Sequence, residues 1–76
     1  MQELVEYLAK GLVDKPDEVR VERVERDGAV VLELHVAPDD VGKVIGRQGR
    51  TARALRTIVR ASGARSNERA LLEIVG

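Results

Sequence analysis

Ten residues, Val41-Gly42-Lys43-Val44-Ile45-Gly46-Arg47-Gln48-Gly49-Arg50, constrain this chain more than any other segment. Gly46 and Gly49 bracket an arginine and an amide, with an apolar pair just before them and a basic amphipathic stretch just after. Glycine adopts positive φ without strain, so the pattern ends one short helix and starts another across a tight loop. The same lack of a side chain lets an anion come close to backbone N–H groups. A helix starting near Arg50 would add the partial positive charge of its N-terminus at that spot. The segment therefore reads as two helices joined by a loop suited to an anionic backbone.

Other phosphate-binding patterns do not fit. A P-loop places lysine directly after its second glycine, whereas Lys43 precedes the loop. A dinucleotide fingerprint needs G-x-G-x-x-G, but the glycines at 42, 46 and 49 read G-x-x-x-G-x-x-G. The spacing that fits is the G-x-x-G clamp of KH domains, which holds a short single strand of nucleotides. A plain helix–turn–helix corner is the structural alternative.

With 76 residues the chain has room for one domain, spanning residues 1–76. A chain of this size buries ~60% of its unfolded surface. It has no cysteine, which removes disulfides, thiol nucleophiles and cysteine-ligated metals. Tyr7 is the only aromatic residue, too few for an aromatic stacking platform, so any base contact would be aliphatic or hydrogen-bonded. No run approaches the ~18 apolar residues of a membrane span, and the N-terminus lacks a signal-peptide pattern, so a cytoplasmic protein without a membrane partner is expected. His35, on an outward strand position without a second histidine or a cysteine, reads as a solvated side chain. No metal site or cofactor is expected, and no enzyme: a nucleophile–base pair and a clustered set of inward carboxylates are both missing.

Thirteen bases and thirteen acids cancel formally, but they are segregated. Residues 38–65 hold seven bases and two acids, while the rest of the chain holds six bases and eleven acids. A polyanion would meet a basic patch on an acidic body, which orients binding.

The pattern of apolar residues predicts the order αββααβ. Gln2 to Val13 reads as a helix, with Leu4, Leu8 and Leu12 recurring every fourth residue beside Val5, and Tyr7 packing along it. Glu18 to Arg26 and Ala29 to Ala37 read as strands joined by an Asp27-Gly28 hairpin. Val30, Leu32, Leu34 and Val36 would face the core. Asp39 or Asp40 is expected to cap the short helix carrying Val41, Val44 and Ile45. A longer helix from Arg50 to Ser62 would end at Gly63 in the C′ position, followed by a strand from Glu68 to Val75. Its Ala52, Leu55, Ile58 and Val59 lie within an arc of ~120°, while Arg53, Arg56 and Arg60 occupy another side. The two-helix crossover makes the last two strands parallel neighbours. An α+β fold follows, a three-stranded mixed sheet with helices on one face. Val31, Leu71 and Val75 fall on outward positions, compatible with a sticky sheet face and a homodimer.

The order αββααβ together with V-G-K-V-I-G-R-Q-G-R-T-A-R-A-L-R-T resembles a type II KH domain. The whole chain is similar to the small bacterial single-KH RNA-binding proteins of the KhpA family. That resemblance implies a clamp at Gly46, Arg47, Gln48 and Gly49, flanked by the basic Lys43 and Arg50. Val44 and Ile45 match the apolar pair of groove and core, and Thr51 and Arg53 complete the implied RNA-binding set. It further implies an RNA chaperone or post-transcriptional regulator that binds single-stranded RNA, with single-stranded DNA left open. A larger KhpB-like KH protein is the implied partner. The reading that competes with it is a degenerate KH fold that only binds protein; the intact glycines and the cation between them favour RNA.

Overall fold

A computed structural model describes all residues from Met1 to Gly76. Its elements are α1 (Gln2–Lys10), β1 (Arg20–Arg26), β2 (Ala29–His35), α2 (Val41–Ile45), α3 (Arg50–Arg65) and β3 (Ala70–Val75). Single 3-10 turns occupy Pro16–Glu18, Pro38–Asp40 and Arg47–Gly49. The sheet order is β1-β2-β3, with β1 antiparallel and β3 parallel to the central strand. This is the α+β arrangement expected from the sequence. Asp27 and Gly28 both have positive φ (52° and 77°), the requirement of a two-residue turn whose twist matches its strands.

Alternation along β2 turns Val30, Leu32 and Leu34 towards α1 and α3, and Val36 extends the same face. They meet Val5 and Ala9 of α1, Val44 of α2, and Leu55 and Val59 of α3 to form the core. On β3, Ala70 and Leu72 join them and Ile74 packs at the margin. α1 lies mainly against β1, and α3 against β3.

Several boundaries and side chains differ from the sequence expectation. α1 stops at Lys10, because Gly11 weakens the helix and leaves it in a turn that continues through Leu12. Its buried residues are Val5 and Ala9; Leu4, Leu12 and Tyr7 remain exposed, Tyr7 by 75%, so Tyr7 is not a packing residue. β1 begins at Arg20 because Pro16 nucleates a 3-10 turn. β2 ends at His35, although the Val36 N–H still donates to the Val75 carbonyl at 3.1 Å. β3 starts at Ala70 rather than Glu68.

Gly63 is not a C′ residue. α3 runs through it to Arg65, and the chain reverses at Ser66 and Asn67, the latter at φ 56°. Val31 is also corrected: it points away from the helices yet is only 5% exposed, walled in by the facing Val24 and Leu71 on either side. The apolar surface left on that face is Leu71 with parts of Val24 and Val75, since Val31 contributes almost none. His35 is likewise not solvated: its ring is 24% exposed and its Nε2 is buried without a hydrogen-bond partner.

Asp40 does not cap α2. Its carboxylate is 1% exposed and reaches across to the segment after α1, where it accepts the backbone N–H groups of Lys15 (3.0 Å) and Asp14 (3.3 Å). A buried carboxylate thus anchors the α1–β1 connection to the start of α2.

Candidate nucleic-acid interface

α2 ends at Gly46, whose φ of 75° and ψ of 175° belong to a region that essentially only glycine occupies. The Gly46 N–H closes the helix on the Gly42 carbonyl at 2.9 Å, and the Gly49 N–H returns to the Gly46 carbonyl at 3.2 Å. Gln48 (φ 57°) and Gly49 (φ 74°) are left-handed as well, so three of the four loop residues have positive φ. A Cβ on Gly46 would run into the Thr51 side chain, which is half-buried beneath the loop. Thr51 therefore supports the turn from within α3. Arg50 and Arg53 reach back to the same loop: Arg50 Nη2 lies 3.4 Å from the Gln48 side-chain oxygen, and Arg53 Nη2 donates to the Gln48 carbonyl at 3.3 Å.

Gly42 has no such internal explanation. It is helical with ordinary φ, and a Cβ there would meet nothing within 4 Å. A glycine inside a helix costs about 0.8–1 kcal/mol relative to alanine, and this fold gains nothing visible in return. Space beside Gly49 is equally open. Gly42 and Gly49 thus leave bare backbone beside the exposed Arg47 and Gln48. Of the apolar pair between them, Val44 is wholly buried in the core and Ile45 is 38% exposed next to the loop.

Ion pairing divides the chain in two. All six bases up to Lys43 lie within 4.0 Å of a carboxylate. None of the seven arginines from Arg47 onward does: Arg47, Arg50, Arg53, Arg56, Arg60, Arg65 and Arg69 are all free. Exposed arginines without acidic neighbours are the charges a phosphate backbone can neutralise. Lys43, expected beside the clamp, instead donates to Asp14 (2.8 Å) and Asp40 (3.4 Å). The largest groove, about 490 Å³, contains no clamp residue. It lies at the far end of the arginine row, where Arg56 and Arg60 face Arg69 and Leu71 across the start of β3. Arg69 lies outside the basic segment 38–65, after the turn that follows α3, and the pairing of β3 with β2 brings it alongside.

Comparison with known proteins addresses what such a surface belongs to. The family described as KhpA/KhpB, KH domain, matches residues 2–74. This chain belongs to that family. The RNA-binding protein KhpA of Clostridium acetobutylicum is 51% identical over 75 residues, covering 99% of this chain and 100% of its own. KhpA of Aquifex aeolicus is 52% identical over 75 residues, covering 99% and 95%. KhpA of Borreliella burgdorferi is 51% identical over 73 residues, covering 96% and 89%. No solved structure gives a significant match. The loop, the free arginines and Ile45 thus sit in a KH domain of a family whose members carry the name RNA-binding protein. No helix is long and apolar enough to cross a membrane.

In this KhpA/KhpB-family domain, Asp40 couples the α2 end of the site to pH. Burial pushes its carboxyl up, but the N–H groups of Asp14 and Lys15 and the Lys43 ammonium outweigh that and hold it below the ordinary 3.8. The Asp14 carboxylate, against the cost of burial, likewise raises Lys43 above its ordinary 10.5. A carboxyl lowered by folding contributes stability that is present above its unfolded value and is lost as pH falls through the folded one. Urea unfolding from roughly pH 6 down to pH 2 should show the parent losing stability over the acidic part of that range. Asp40→Asn should be less stable at neutral pH and should lose less on acidification. Parallel curves for the two proteins would contradict this role.

Proposed function

We propose that this chain binds single-stranded RNA by seating a short segment, about four nucleotides, on the Gly46–Gly49 loop. The phosphates run along the Arg47, Arg50 and Arg53 side, and Ile45 offers an aliphatic contact for a base. The observation that carries the reading is the partition of charge: every free base of the chain lies on or beyond the loop, close to Gly42, a glycine the fold itself does not require. With one aromatic residue in the chain, and that one on α1, base recognition is weak and binding is broad, as suits an RNA chaperone or post-transcriptional regulator in the cytoplasm. The αββααβ order supports the type II arrangement. A larger KH protein as partner is supported by the family description, which pairs KhpA with KhpB. The exposed outward residue Leu71, beside the half-buried Val24 and Val75, supports weak self-association.

The test is a fluorescence-anisotropy titration with short single-stranded RNA at several salt concentrations. Neutralising about four phosphates of a single strand gives a log–log salt slope near ~−3, with micromolar or weaker affinity for one such module. A slope near zero, or equal preference for duplex RNA, would refute single-strand binding at the loop.

A further inference from the structure

The face of the sheet that no helix covers carries a second constellation, remote in sequence from the loop. Glu22 of β1 stands directly opposite Glu33 of β2, and His35 follows two residues later on the same face. Each carboxylate is divided between two neighbours. Glu22 uses Oε1 to pair with Arg20 Nε at 3.1 Å, and Glu33 uses Oε2 to pair with Arg26 Nη2 at 2.6 Å. The other oxygens turn inward: Glu22 Oε2 lies 4.0 Å from His35 Nε2, and Glu33 Oε1 lies 3.7 Å from it. The three atoms fall within 4.8 Å of one another. His35 Nε2, at their centre, is the one buried side-chain nitrogen or oxygen in the chain with no hydrogen-bond partner.

A buried, unpartnered ring nitrogen needs an explanation, because burying a polar atom without a partner costs free energy. We propose that Glu22, Glu33 and His35 form a binding site for a divalent cation of the zinc type. One imidazole and two carboxylates are ligands such a cation accepts, with a water filling the fourth position. Tetrahedral bonds of ~2.0–2.2 Å place neighbouring ligand atoms roughly 3.4 Å apart. The existing separations of 3.7 and 4.0 Å from the imidazole need to close by about 0.3 and 0.6 Å, and the two carboxylate oxygens, within 4.8 Å of each other, by up to about 1.4 Å, which side-chain torsions of the glutamates can supply. Imidazole as the central ligand disfavours magnesium and calcium, which take oxygen sets. The arginines hold the outer oxygens and so preset the carboxylates. A bound cation would clip β1 to β2 from the face opposite the helices, independently of the RNA reading.

His35 is the only histidine and the chain has no cysteine, so any imidazole–metal signal reports this site alone. The experiment titrates metal-free protein with zinc chloride and follows the His35 ring resonances by NMR; cobalt(II) in a parallel sample gives the ligand-field spectrum. A saturable change of the ring nitrogen at one zinc per chain is expected, with a higher melting temperature, as for any ligand that binds only the folded state. Glu22→Gln and Glu33→Gln should each weaken binding at least tenfold, and His35→Gln should abolish the cobalt spectrum while leaving RNA affinity unchanged. An unmoved His35 ring at millimolar zinc in folded protein overturns the site. So does zinc affinity that survives both glutamine substitutions, which would mark adventitious binding to one exposed imidazole edge.

Discussion

Changing Arg47 and Gln48 together to aspartate should lower affinity for single-stranded RNA at least tenfold, about 1.4 kcal/mol, without unfolding the domain. Both side chains are exposed and both glycines remain. Position 48 is left-handed (φ 57°), and aspartate is among the few residues that tolerate this conformation. Exposed substitutions of this kind change stability by about ±0.5 kcal/mol. The loss would come from a positive loop turned doubly negative where a phosphate is to sit. Tyr7→Asp with Lys10→Asp makes the same change of charge on the exposed side of α1 and serves as the control. Anisotropy and thermal melting on the three proteins decide the matter. A clamp variant that melts like the parent and binds like it would reduce the loop to a helix corner.

Gly63→Ala should destabilise the domain, against the usual effect of that substitution. Inside a helix, replacing glycine by alanine ordinarily gains about 1 kcal/mol. Here a Cβ would stand 2.6 Å from the Ala70 Cβ and 2.9 Å from the Glu68 carbonyl oxygen. The Glu68 N–H also donates to the Gly63 carbonyl at 2.7 Å, so the chain entering β3 lies directly against the last turn of α3. Backbone on both sides cannot move away cheaply, and overpacking costs ~1–3 kcal/mol. Set against the gain, this leaves a net loss of up to about 2 kcal/mol, which corresponds to a melting temperature lower by up to roughly 15 °C. An unchanged or higher melting temperature would mean that α3 and β3 are less closely packed than described.

Gly63 also shows where the sequence stops being informative. A glycine near the end of a helical pattern reads as a terminator on local grounds, and only the tertiary approach of Glu68 and Ala70 gives it another purpose. The signals that did carry through were local and periodic: alternation along β2, the Asp27-Gly28 turn, and the spacing of Ala52, Leu55 and Val59 on α3. The order of elements followed from them, and with it the mixed sheet. The loop was legible because positive φ at Gly46 and Gly49 is a property of the residue type. What stayed hidden were choices between partners far apart in the chain. Asp40 had an obvious local role as a cap, yet it bonds to Asp14 and Lys15 instead. Lys43, in the middle of the basic segment, is tied to Asp14 and Asp40, whereas Arg69, outside that segment, is free beside Arg56 and Arg60. Alternation marked His35 as outward but said nothing of the two carboxylates that the β1–β2 register sets beside it.

The claim that the Gly46–Gly49 loop and its arginine flank hold single-stranded RNA is tested most directly by mapping amide resonances during a titration with a short single-stranded RNA. Progressive shifts centred on residues 42–53 are expected, extending along α3 to Arg56 and Arg60, with α1 and the uncovered face of β1 and β2 unmoved. Shifts confined to α1 or to that uncovered face, with the loop silent at saturation, would contradict RNA binding at the loop.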